Sequence, residues 1–301
     1  VAIAASAAAF TPRSLPTRSA SRTRMAFSAA EAELVPRDVL FGNPEYAAPS
    51  VTPDGSKLAY LKPVDGVLNA WVRSATGGDD RVVTEDSYRG IRQIFWAEDS
   101  KTLLYLQDDG GDENFHLFAV DVSKEGSKAR DLTPFEGAKA QNVITNKRFP
   151  DELLVAVNAR DKAQFDMYRV QLESGDIKLD TENPGGIVGW GSEDESFEVR
   201  EGIRVNPDSS KTVLVRNSKS DEWRDLAVFP YGEEGGMVDF CNDGEHALMT
   251  SSVGRETTAL TKVKLSDGST TEVIAFNDKA DCGGIMLDED TKEVRAVSFN
   301  Y

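Results

Sequence analysis

Apolar and polar positions recur along this chain in one order. An acidic turn leads into a short apolar strand, then a polar turn, a second strand, and a loop rich in Asp, Gly and Ser. Pro53-Asp54-Gly55-Ser56-Lys57 runs into LAYL and then WVRS at 71–74. Glu98-Asp99-Ser100-Lys101 runs into LLYL and then HLFAVDV at 116–122. Weaker copies are PDELLVAV with DMYRVQL, PDSSKTVLV with DLAVF, DGEHALMT with ALTKVKL, and DEDTKEVRAVSF near the end. The acidic turns fall at Asp54, Asp99, Asp151, Asp208, Asp243 and Asp290, at intervals of 45, 52, 57, 35 and 47 residues. Each interval has room for about four strands, and all-strand repeats of this length predict the blades of a β-propeller.

LAYL, LLYL and LLVAV are unbroken apolar runs, as strands covered on both faces require. HLFAVDV and DMYRVQL alternate more and suit positions nearer the rim. The D-G, S-G-D and D-G-S clusters between them supply the positive φ that hairpins need. One blade cannot bury both of its faces, whereas blades stacked in a ring do so and protect most edges. A β-sandwich is the competing all-β arrangement, and six spaced copies favour the propeller. The expected fold is therefore all-β, a propeller of four-stranded antiparallel blades with about six visible and the last truncated. The chain stops at Ser298-Phe299-Asn300-Tyr301, inside an apolar strand, so more chain is expected downstream. Residues 1–34 are expected to form a disordered targeting leader and 35–301 an incomplete propeller domain.

Net charge is −17. The leader holds Arg13, Arg18, Arg22 and Arg24 against Glu31 and Glu33, so the body carries more negative charge than the whole chain. Such a body repels phosphate backbones, which argues against a nucleic-acid partner. No run of 18 apolar residues exists, so no membrane association is expected. Cys241 and Cys282 show no metal-ligand spacing, no phosphate-binding glycine motif occurs, and neither metal nor cofactor is expected. Two unpaired thiols are the default, and a disulfide is not forced. VAIAASAAA before Phe10, followed by a Ser- and Arg-rich stretch with no acid before Glu31, resembles the bipartite plastid leaders of algae with secondary plastids. That implies a plastid location, with the secretory pathway or the cytoplasm as alternatives and a featureless tail as the plain reading. Oligomeric state is left open.

From Leu34 onward the chain resembles a known family. LVPRDVLFGNPEYAAPSVTPDGSKLAYLKPVDGVLNAWV is similar to the start of the propeller in prolyl oligopeptidase-family serine peptidases. RGIRQIFWAEDSKTLLYLQDDGGDENFHLFAVDV at 89–122 resembles their dipeptidyl aminopeptidase and acylaminoacyl-peptidase branch in detail, and DLTPFEG at 131–137 and the closing AVSFNY continue the likeness. The poorest match is 185–235, which leaves blade borders there open. The resemblance implies a parent in which an α/β-hydrolase with a Ser-Asp-His triad follows a propeller that restricts access to it.

The chain itself shows no triad. No G-x-S-x-G elbow and no H-G-G loop occurs, and the two histidines, His116 and His246, read as ordinary strand histidines. No peptidase activity of the chain alone is expected. Its peptide partner would be met through the missing hydrolase. Acidic pairs such as Asp79-Asp80, Asp108-Asp109 and Glu233-Glu234 read as solvated loop charge. Glu233-Glu234 is similar to a glutamate pair of some dipeptidyl peptidases, but its surroundings differ and no role is carried over. Trp71, Trp96, Phe95, Phe115 and Phe118 read as blade packing, and Gly90, between Arg89 and Arg92, as backbone freedom. One loop, Gln107 to Phe115, carries the sharper expectation. The resemblance implies that Asp112 and Glu113 pair with a peptide's α-amino group, against the plainer reading of a turn whose Asp and Asn satisfy their own backbone. The rival to a peptidase propeller is a stand-alone scaffold that binds a protein.

Overall fold

The computed structural model describes residues 34–42, 45–78 and 80–300, so the expected leader up to residue 33, and Asp79, lie outside the described residues. The chain divides into two compact units, Val1–Gly42 and Asn43–Tyr301. The described part of the first holds α1 (Arg37–Phe41), closed by the Gly42 N–H on the Asp38 carbonyl at 2.9 Å.

The second unit is a succession of antiparallel meanders. Blade 1 is β1 (Ala47–Val51), β2 (Lys57–Val64), β3 (Val67–Ser74) and β4 (Arg81–Val82). Blade 2 is β5 (Ile94–Trp96), β6 (Thr102–Gln107), β7 (His116–Asp121) and β8 (Arg130–Asp131). Blade 3 is β9 (Ala140–Thr145), β10 (Glu152–Asp161), β11 (Gln164–Gln171) and β12 (Ile177–Thr181). Blade 4 is β13 (Ile187–Ser192), β14 (Val199–Val205), β15 (Lys211–Val215) and β16 (Arg224–Phe229). Blade 5 is β17 (Gly235–Phe240), β18 (His246–Ser251), β19 (Ala259–Lys264) and β20 (Thr270–Ala275), and a two-stranded sheet of β21 (Cys282–Leu287) and β22 (Val294–Phe299) follows.

The unbroken apolar runs become second strands because each of them faces two neighbours. On β6, Leu103 and Tyr105 pack with Ala59 and Leu61 of blade 1, whereas Leu104 packs with Leu153 and Val155 of blade 3. On β10 those two residues face blade 2, while Leu154 and Ala156 face Trp190 and Leu214 of blade 4. On β15, Val213 and Val215 pack with Ala247 and Met249 of blade 5. Alternation with period 2 thus sends successive side chains into successive seams, so the core is a series of four slabs between blades. Polar ties reinforce the seams. Trp96 Nε1 donates to the Ser50 carbonyl at 3.1 Å, Asn146 Nδ2 to that of Asp194 at 2.9 Å, and Arg130 Nη1 to that of Glu173 at 2.9 Å.

The acidic turns close themselves. Asp54 accepts the Ser56 N–H at 2.9 Å, Asp99 the Thr102 N–H at 2.8 Å, and Asp243 the His246 N–H at 2.9 Å. One copy of the repeat is out of register. Asp208 sits between β14 and β15, the second and third strands of its blade, not between first and second. The turn equivalent to the others is the β13–β14 turn, where Glu193 accepts the N–H groups of Glu195 at 2.7 Å and Ser196 at 3.0 Å. A glutamate does there what aspartate does elsewhere, which explains the uneven intervals of 57 and 35 residues on either side of Asp208.

Candidate functional site

In a meander the first-to-second and third-to-fourth turns lie at one end of the strands. The second-to-third turns and the links between blades lie at the other. Each end carries a cavity.

At the second end, the β6–β7 loop, the link from β4 to β5 and the link from β8 to β9 enclose a cleft of about 690 Å³. Six carboxylates line it, those of Asp86, Asp108, Asp109, Asp112, Asp131 and Glu136, against one guanidinium, that of Arg89. Local chemistry builds it. Asn69 clamps the backbone of Asp86 from both sides at 2.8 Å, and the Asp86 carboxylate accepts the N–H groups of Tyr88 and Gly90. Gly90 is at φ +77°, and a Cβ there would press on the Leu68 backbone at 3.3 Å. Gly111, at φ +99°, leaves the space in which the Arg89 guanidinium lies, about where a Cβ would meet it at 3.1 Å.

The Asp108 side chain is only 5% exposed, against 28% for that of Asp131. Its carboxylate has weak company, with Arg89 Nη2 at 3.8 Å and the Glu113 N–H at 3.3 Å. Few protein donors reach this carboxylate, which leaves it room to accept from a further one. His116 Nδ1 lies 2.7 Å from Asp131 Oδ2 on the adjacent wall. Phe118 lines the cleft and is stacked on Tyr105, ring centroids 5.3 Å apart. Burial, and then the negative charge of Asp86 and Asp131, push the Tyr105 hydroxyl up to about 12.

The two acids singled out in the sequence share this loop but differ in place. Asp112 lines the cleft, and its carboxylate accepts the backbone N–H of Asn114 at 3.0 Å and the side-chain amide of Asn114 at 2.9 Å. Those bonds hold its carboxyl below the usual range. Glu113 is exposed at φ +62° and lies off the cleft lining. Asp108, read in the sequence as solvated loop charge, is joined here by Asp86, Asp131 and Glu136, for which the sequence suggested no role, because their convergence depends on three separate links. Elsewhere, Glu233 accepts the Ser252 hydroxyl at 2.5 Å and His246 pairs with Asp243 of its own turn at 3.0 Å.

At the first end, one cavity of about 600 Å³ is lined by residues from the first-to-second-strand turns of blades 1, 2, 3 and 4 and from the β21–β22 turn. Turns of successive sheets reach one cavity only if the blades are arranged around an axis, as in a propeller. Lys147, Arg148 and Lys292 face Glu98, Asp194 and Glu289 around it. Between blades 4 and 5, Glu201 of β14 lies near Asp239 of β17. Burial, and then the Asp239 charge, push the Glu201 carboxyl up to about 7.

No family model matches the chain. Over 275 residues it is 40% identical to dipeptidyl aminopeptidase BIII of Pseudoxanthomonas mexicana, an alignment covering 89% of this chain and 39% of that protein. Among solved structures, one from a study of two prolyl endopeptidases superposes with a TM-score of 0.55 at 16% identity, over 82% of this chain and 38% of that one. The β-propeller domain of the Trilobed protease from Pyrococcus furiosus superposes with a TM-score of 0.52 at 18% identity, over 81% of this chain and 73% of that one. The chain spans about two fifths of the length of the curated relatives it matches.

Proposed function

We infer a non-catalytic role from one premise: the chain belongs to the prolyl oligopeptidase family, dipeptidyl aminopeptidase and acylaminoacyl-peptidase branch, and makes up β-propeller of it. On this reading the blades screen peptides for a serine hydrolase module of the same protein and orient them through polar loop contacts. The observation that carries the orienting part is the cleft with six carboxylates and one guanidinium. It suits a peptide's cationic end, because an ammonium gains from several carboxylates converging on one recess. Asp108 is the better candidate for that contact than Asp112 or Glu113. Its side chain is only 5% exposed and it accepts one weak backbone bond, whereas Asp112 is already satisfied by Asn114 and Glu113 lies off the lining.

Calorimetric titration of the chain with a short peptide, N-terminus free or acetylated, tests this. The free amine is expected to bind about tenfold tighter or better, and Asp108→Asn to erase the difference. Equal affinities for both peptides would end the amine-reading proposal. Loss of the difference in Glu113→Gln but not in Asp108→Asn would return the role to the loop tip.

A further inference from the structure

Arginines that brace this fold are tied down by hydrogen bonds. Arg160 grips the Asp166 carboxylate through two, both at 2.9 Å. Arg216 donates to the Val199 carbonyl at 2.8 Å, the Lys219 carbonyl at 2.9 Å and the Thr181 hydroxyl at 2.8 Å. Arg89, in the acidic cleft, is held differently. Among the described residues its guanidinium makes no hydrogen bond, and its charged partner is Asp108 at 3.8 Å. The side chain is 36% exposed and belongs to the irregular link between β4 and β5. One long ion pair on an open side chain is a weak hold.

The guanidinium nevertheless has a fitted place. A Cβ on Gly111 would come within 3.1 Å of Arg89 Nη1 and 3.2 Å of Cζ, so the bare glycine backbone leaves room for it. Arg89 is the one arginine or lysine of the cleft lining. It therefore lies where the acids draw positive charge, against Asp108, the carboxylate assigned above to a peptide's amine.

We propose that Arg89 is a built-in competitor for the amine position and sets its specificity: the guanidinium holds the place beside Asp108 until a peptide's amine exchanges with it. This inference rests on the amine reading given above. An ammonium carries three N–H donors on one nitrogen and makes a short, charge-assisted bond to a carboxylate, which the guanidinium at 3.8 Å does not. The exchange therefore favours a cation that brings donors. An acetylated end offers no charge and leaves Arg89 in place. A trimethylated end offers charge but no hydrogen bond, so it gains too little to displace a like charge.

Calorimetric titration of the whole chain, of Arg89→Met and of Arg89→Lys tests it, with one short peptide whose N-terminus is free, trimethylated or acetylated. Methionine removes the charge, whereas lysine keeps it. Arg89→Met is expected to bind the free-amine peptide about fivefold tighter than the parent and to gain affinity for the trimethylated one. Its affinity for the acetylated peptide should not change, and Arg89→Lys should bind the free amine no tighter than the parent. Equal or weaker binding of the free amine by Arg89→Met would overturn the competitor, since Arg89 would then be neutral or would support the ligand. Equal tightening in Arg89→Lys would overturn it too, because the charge would not be what competes. If neither the parent nor either variant distinguishes free from acetylated ends, the amine reading falls and the competitor with it. If the parent distinguishes them and Arg89→Met is no tighter, the competitor falls alone.

Discussion

Replacing Glu201 by glutamine should make the chain more stable at alkaline pH and leave it unchanged in acid. The carboxyl lies in the seam between blades 4 and 5, against Gly191, where an added Cβ would sit 2.1 Å from Glu201 Oε2. Lys292 pairs with Asp239 and Asp194, and no cation pairs with Glu201 among the described residues. Burial, and then the Asp239 charge, raise its pKa from 4.5 to about 7. At about 1.4 kcal/mol per pH unit, that rise corresponds to about 3 kcal/mol. A raised folded-state pKa means that the proton favours the folded chain. This stabilisation is full below pH 4.5, falls between 4.5 and 7, and is gone above about 8. Glutamine has the same shape and never ionises. Urea unfolding of both proteins at half-unit steps from pH 4 to 8.5 measures the difference. It should be near zero at pH 4 and approach about 3 kcal/mol in favour of Glu201→Gln at pH 8.5. A difference that does not change with pH would refute the linkage, whatever its size.

Two further substitutions probe the packing. Gly235→Ala should destabilise by about 2 kcal/mol or more. Its Cβ would meet the Thr250 carbonyl oxygen at 2.6 Å and the Phe229 ring at 2.1 Å, and a melting point within a degree of the parent would show that the sheet yields freely. Leu154→Ala empties part of the seam between blades 3 and 4, where Leu154 is fully buried, and should cost about 3 kcal/mol by denaturant unfolding. A cost below about 1 kcal/mol would mean that the seam collapses around the gap.

The second strands were legible because burial on two faces leaves an apolar run, as in LAYL, LLYL and LLVAV, that polar composition cannot disguise. Their third strands were legible as well, since the β7 and β11 alternation survives in HLFAVDV and DMYRVQL. Blade 4 was not, because Glu193 closes the turn that aspartate closes elsewhere, while Asp208 supplies the same chemistry one hairpin later. The β6–β7 loop was singled out in the sequence through Asp112 and Glu113, and it forms one wall of the acidic cleft. Which acid is deep was not legible, since Asp108, Asp109, Asp112 and Glu113 are chemically alike within one loop. Burial of Asp108 depends on Arg89 arriving from a different link.

Local sequence therefore settled what each segment is. Strand, turn and repeat are determined by side-chain periodicity and by backbone groups bonding within a few residues of themselves. Tertiary structure alone decided what lies beside what: Asp108 beside Arg89, Glu201 beside Asp239, and Lys292 between Asp194 and Asp239. Charges act through space, and the low-dielectric seams that give them their strength exist only after the blades have packed.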